Sequence, residues 1–232
     1  MACKERILSP RVLIQVLLFV VVVPFLPLLI AGRWTWWGAW AYAAVAILGF
    51  ALSRFLAARR HPDILAERAR FMQHENAKSW DRPLVSLLAL ASTSILVVAG
   101  LDAGLGWSTG FGPPVKGVAL AVIVAGYALG SYALIENRFF SGMVRIQSDR
   151  GHQVVSGGPY RRIRHPGYAG GILTYLATPF LLASYWAIVP AALTAIVLLV
   201  RTQLEDTTLR NELPGYSDYA RRVRFRILPG IW

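Results

Sequence analysis

Apolar residues in this chain come in long blocks separated by polar stretches. Four blocks approach bilayer length, at about 12–30, 36–57, 84–101 and 115–135. Two shorter ones, 167–182 and 185–200, meet at Ala183 and Ser184. About 18–20 consecutive apolar residues cross a bilayer as a helix. The pattern therefore predicts an all-α, polytopic membrane protein with about six transmembrane helices, the last two forming a short helical hairpin. Pro24 and Pro27 predict a kink near the end of the first span. Trp34, Trp36, Trp37 and Trp40 form an aromatic belt at a membrane interface. In the polar linker 58–82, Ile64, Leu65, Arg68, Phe71 and Met72 recur at helical spacing, which predicts a short interfacial helix over 62–72.

Composition supports this and charge orients it. Of the 232 residues, 56% are hydrophobic and 16% charged, and the formal net charge is +12. All of the 24 lysines and arginines except Arg33, Arg54 and Lys116 lie in the N-terminus, the 58–82 linker, the 138–165 segment or the tail from 201. Placement in alternate connections is the positive-inside bias, not a nucleic-acid footprint. It puts both termini and both long loops in the cytosol. The run 12–30 is too long for a signal peptide's apolar region and reads as a retained helix. The lone cysteine, Cys3, excludes an intramolecular disulfide and a cysteine zinc site. Residues 1–232 read as a single domain. Residues 12–135 form a four-helix scaffold, and 136–232 carry the chemistry.

Candidate chemistry gathers in two places. The first is the stretch 152–170, where histidines, tyrosines, arginines, Gly157, Gly158 and Pro159 crowd before a new apolar block. Pro166 suits a first helical turn, which places His165 near an N-cap, where free N–H groups favour an anion. Position alone favours a solvated loop histidine. The second is the tail entry, where Arg201 and Glu205 are four apart and share a helix face. They read either as an ion pair at a helix end or as two groups facing a polar pocket. The glycine-rich run 100–106 reads as a turn, since no strand precedes it. No metalloprotease, nucleophile-elbow or P-loop pattern is present.

The pattern GHxVVxxGPYxxxRHPxYxG over 151–170, followed by two short spans and RxxxE…L…GYxxYxxRV…P, resembles one family. It is similar to the integral-membrane methyltransferases that include isoprenylcysteine carboxyl methyltransferase and phosphatidylethanolamine N-methyltransferases. The nearest likeness is to bacterial and archaeal members, and the resemblance runs from Arg145 to Pro229. It implies methyl transfer from S-adenosylmethionine to a lipophilic acceptor from the membrane, without a catalytic metal. The cofactor would be cupped on the cytosolic side by the loop, the helical hairpin and the tail. Cofactor contacts would fall on Arg145, His152, Gln153, Val154 and Val155, then Tyr160, His165, Pro166, Gly167 and Tyr168, and finally Glu205. Position 145 is a glutamine in eukaryotic carboxyl methyltransferases, and Gln147, two residues on, offers an alternative contact. Arg201 takes the place of the arginine kept beside the methyl-accepting group. Glu205 would take the proton if the acceptor is an amine. The other readings are an NADPH-dependent membrane reductase of the sterol-reductase type and a small transporter; few polar residues within the spans speak against the latter.

Overall fold

The computed structural model describes Ile14, residues 17–69 and residues 76–232. Cys3, the start of the expected first span, and Phe71 and Met72 of the expected interfacial helix lie outside the described residues. Within the described chain, regular structure is helical and no strand occurs. In order the helices are α1 (Leu17–Ala31), α2 (Trp37–Arg60), α3 (Ile64–Ala69), α4 (Asp81–Leu105), α5 (Pro113–Glu136), α6 (Pro166–Leu181), α7 (Ile188–Glu212) and α8 (Tyr216–Arg222). Four of them, α2, α4, α5 and α7, are long and apolar enough to cross a bilayer, as befits an integral membrane protein. Of the six spans expected, these four are matched; the other two positions hold α1 and α6, which are shorter. At 16 residues, α6 is about 24 Å long. In α1 the winding changes at the prolines: a wide turn over Leu17–Val22 tightens over Val23–Phe25, which holds Pro24, before regular helix resumes with Pro27.

Helices outrun the apolar blocks that predicted them. Hydrophobicity stops where the hydrocarbon stops, whereas backbone hydrogen bonding continues into water. Two corrections follow. First, α7 does not end with its apolar block at residue 200 but continues through Arg201 to Glu212, so span and tail entry are one helix. Second, the glycine-rich run 100–106 is the last stretch of α4, and only Gly106, with φ 69°, ends it. Its glycines serve packing: a Cβ on Gly100 would come within 2.9 Å of the Ile30 side chain in α1. Asp102, buried in this stretch, accepts from the backbone N–H of Ser108 at 2.7 Å and from the hydroxyls of Ser108 and Ser184. It thereby ties the end of α4 to the α6–α7 connection.

The most extensive helix contact is between α5 and α6. A Cβ on Gly126 would meet the Gly170 carbonyl at 2.6 Å, and one on Gly170 the Gly126 carbonyl at 2.5 Å. Small residues let these backbones approach, as membrane helix pairs require. A second, separate core holds Tyr160, Leu213, Tyr216, Tyr219 and Ala220 against Ala133. It roots the polar end of the molecule on the end of α5, and there the candidate site lies.

Candidate active site

A cavity of about 730 Å³ opens at this polar end. His152, Gln153, Val154, Val155, Tyr160, His165, Gly167, Tyr168, Arg201 and Glu205 all line it. Two of the expected cofactor contacts do not. Pro166 occupies the first turn of α6 behind His165, where its missing N–H is harmless. Arg145 turns away, forking onto Glu67 at 3.1 and 2.9 Å and reaching Asp149 at 2.8 Å. Its alternative, Gln147, is buried too: its amide donates to the Phe139 carbonyl at 2.7 Å. Both residues support the wall from behind. Longer polar side chains here found partners in α3 and the loop before they could reach the cavity.

The loop wall is held by backbone geometry and ring contacts. Gly158 sits at φ 52° in the turn that presents Tyr160. The Tyr160 phenol accepts from Asn137 at 3.2 Å, and the Tyr219 phenol donates to the Tyr160 carbonyl at 2.7 Å. Burial pushes the phenols of Tyr160, Tyr216 and Tyr219 up, so all three remain protonated donors. His152 lies against the Phe139 ring, 4.6 Å between centroids, and its Nδ1 accepts the Gln147 backbone N–H at 3.2 Å. Burial first, then the charges of Arg145 and Arg150, lower its pKa to about 4. It is a neutral wall residue at physiological pH.

On the other side α6 and α7 face each other. His165 is the N-cap of α6, and no side chain caps that terminus. The His165 ring stacks on Tyr168, centroids 5.8 Å apart, and Arg201 lies over the Tyr168 ring at 5.4 Å. The Tyr168 hydroxyl donates to Glu205. Arg201 and Glu205 share the cavity face, as their spacing predicts, yet the expected i,i+4 ion pair is replaced by outside partners. Arg201 forks onto Asp81 at 2.6 and 2.9 Å and donates to the Gly142 carbonyl at 2.8 Å. Asp81, fully buried at the start of α4, also accepts the Val144 N–H.

Sequence reasoning missed Asp81 and Asp206. Asp206 is fully buried and collects Arg164 at 2.7 and 3.0 Å, Arg210 and Arg226 at 3.1 Å each, and the Tyr216 hydroxyl at 2.9 Å. Arg164 also donates to the carbonyls of Val223 and Arg224. It therefore latches the tail to the loop and is not merely positive-inside charge, while Arg161 and Arg162 are exposed. An acid in the first turn of a predicted span was the one available signal for Asp81. For Asp206 the available signal was its place beside Glu205.

A second cavity, about 500 Å³, runs from the first into the space between α2, α4, α5 and α6. Arg54, Arg68, Phe140, Gly167, Tyr168 and Arg201 line both. The close packing of Gly167 against Phe140, whose ring a Cβ would meet at 2.6 Å, shapes the junction. Arg68, on α3, has its pKa lowered to about 10, by burial first and by the charge of Arg201 second.

Residues 119–211 match the isoprenylcysteine carboxyl methyltransferase (ICMT) family, a segment that includes the loop, Arg201 and Glu205. Two relatives named "probable protein-S-isoprenylcysteine O-methyltransferase", from Oryza sativa subsp. indica and subsp. japonica, are each 27% identical over 114 residues. The match covers 46% of this chain and 57% of each relative's length. Among solved structures, the chain is similar to the eukaryotic intramembrane Ras methyltransferase ICMT without a monobody. The TM-score is 0.48 at 18% identity, covering 99% of this chain and 91% of that one. The resemblance to the ICMT family is borne out. Both curated relatives are from rice, so a nearest likeness to bacterial and archaeal members gains no support from them.

Proposed function

We propose that the chain is an S-adenosylmethionine-dependent methyltransferase acting on a lipophilic acceptor that enters from the bilayer, with the cavity and both termini on the cytosolic side. The observation that carries this reading is the shared wall: loop residues 152–155, Tyr160, His165, Gly167 and Tyr168 join Arg201 and Glu205 around one cavity that continues between the membrane helices. Its volume is in the range of cofactor pockets.

The residues present fit the cofactor's groups. Glu205, the one acid among the described lining residues of the first cavity, suits an ammonium, with Tyr168 steadying one oxygen. The uncapped N-terminus of α6 beside His165 suits a carboxylate. Tyr160 and the backbone of 153–155 offer a ring face and hydrogen-bonding edges for an adenine. When bound, S-adenosylmethionine supplies an electrophilic methyl group for in-line displacement. The chain's part is alignment and exclusion of water, which such a displacement chiefly needs. Asp81 fixes Arg201 at the mouth of the second cavity, so an arriving acceptor meets a cation already in position. For an amine acceptor, Glu205 is the group to receive the proton.

The test uses the purified protein in lipid nanodiscs with methyl-labelled S-adenosylmethionine and a membrane extract; label is expected in a lipophilic product. On the same samples, calorimetry against S-adenosylmethionine and NADPH is expected to detect only the former. Glu205→Ala and His165→Ala should each weaken that binding about tenfold, the loss of one charge-assisted hydrogen bond. Unchanged affinity in both variants, or NADPH binding instead, overturns the reading.

A further inference from the structure

Beyond α8, the segment 224–232 runs beside the loop that leads into α6. The Arg164 N–H donates to the Phe225 carbonyl at 3.0 Å, and the His165 N–H to the Arg226 carbonyl at 2.8 Å. Ile227 is buried in one core with Ile163 and Ala169, and Phe225, Trp232, Leu129 of α5 and Ile172 of α6 pack against that core. Leu129 and Ile172 each lie about two turns inside their helices, roughly 10 Å from the polar end. Both belong to apolar blocks, so the segment reaches the level where headgroups give way to acyl chains. There it closes into a turn: the N–H groups of Arg226, Ile227 and Leu228 donate to the Trp232 carbonyl at 2.9, 3.1 and 3.2 Å, and Arg226 covers the Trp232 ring at 5.0 Å. This turn leaves Leu228 50% and Ile231 77% exposed.

Exposed arginines border this apolar tip, Arg161 and Arg162 on the loop and Arg222 and Arg224 on the segment. Among the described residues no ion pair reaches any of them, whereas Arg221 is paired with Asp218 and Arg226 with Asp206. The positive-inside bias accounts for their sign but not for the exposed leucine and isoleucine between them. Apolar groups at acyl level beside unpaired cations at headgroup level are what an anionic bilayer surface binds, and guanidiniums grip phosphate oxygens in pairs. We propose that this face is a docking site for anionic phospholipid of the leaflet at the polar end. Leu228 and Ile231 enter the acyl boundary, and Arg161, Arg162, Arg222 and Arg224 hold the phosphates. Lipid docked there steadies the start of α6, because the same segment bonds Arg164 and His165 through its backbone and sends Arg226 to Asp206 at 3.1 Å. The site is a lipid-binding property and stands apart from the methyltransferase reading.

The experiment places the protein in nanodiscs of mixed phosphatidylglycerol and phosphatidylcholine and counts, by native mass spectrometry, the lipids that leave with it. Wild type is expected to retain phosphatidylglycerol over phosphatidylcholine. The double variants Arg161→Gln with Arg162→Gln and Arg222→Gln with Arg224→Gln should each cut that preference about tenfold. Leu228→Ser with Ile231→Ser should lower it several-fold. Arg59→Gln with Arg60→Gln removes as much charge from exposed positions at the polar end of α2 and should leave it unchanged. Thermal midpoints, measured on every sample, should agree among the variants, since all the substituted side chains are exposed. Hydrogen exchange then reads the link to α6: phosphatidylglycerol should slow exchange of the Arg164 and His165 amides in wild type and not in the variant lacking Arg222 and Arg224. Equal retention of the two lipids by wild type, or a loss that the Arg59 and Arg60 variant reproduces, overturns the docking site. Exchange at Arg164 and His165 that ignores phosphatidylglycerol overturns its hold on α6.

Discussion

Glu205 and Asp206 are neighbours on one helix and do unrelated work. Successive residues on a helix point about 100° apart, so Glu205 meets the cavity and Asp206 the tail. In Asp206→Asn three guanidiniums lose their shared carboxylate, and Arg164 stays buried. A loss of about 3–5 kcal/mol is expected, the range for breaking a buried pair. Chemical unfolding in detergent measures it, and a loss under about 1 kcal/mol would show the hub to be dispensable. His152 makes a pH prediction. An unfolded histidine binds its proton near pH 6.5, and the folded one only near 4. Between those values the unfolded state holds more protons, so this contribution is complete above about 6.5 and is lost as pH falls toward 4. Carbon-labelled histidine NMR should show one ring titrating near 4; four rings titrating at 6 or above would refute it. At this scale the sequence was half legible. Arg201 and Glu205 were readable because a four-residue interval places side chains together on any helix. The partners Asp81 and Asp206 were not, because burial depends on what packs opposite.

Among the elements, the α5–α6 pair sets the geometry of the site, because α6 carries His165, Gly167 and Tyr168 at its uncapped end. Its position depends on Gly126 and Gly170. Gly170→Leu should separate the helices and cost about 1–3 kcal/mol or more through overpacking. Gly117→Leu, at a glycine of α5 with open space around it, should be tolerated. Thermal unfolding of both variants in nanodiscs decides, and equal midpoints would refute the seam. Apolar blocks located the helices but misplaced their ends. The extension of α7 past Val200 is what delivers both Arg201 and Glu205 to the cavity on one rigid element.

For the whole molecule the remaining expectation is orientation. With Cys3 replaced by serine, a cysteine at exposed Ser156 should react with a membrane-impermeant maleimide only from the cytosolic face. One at exposed Thr109 should react only from the opposite face. Reversed labelling would invert the topology, and labelling from one side at both sites would break it. The sequence by itself determined a helical membrane protein, its basic faces and the family-like loop and tail. Those follow from hydrophobic length, charge placement and spacing, which are all local along the chain. Only the tertiary structure decided that loop and tail share one cavity and that Arg145 stands behind the wall. Each depends on residues far apart in sequence meeting in space: Asp81 with Arg201, Glu67 with Arg145, Arg164 with Asp206. Helical periodicity says which way a side chain points from its own axis. It does not say which other helix stands there to receive it.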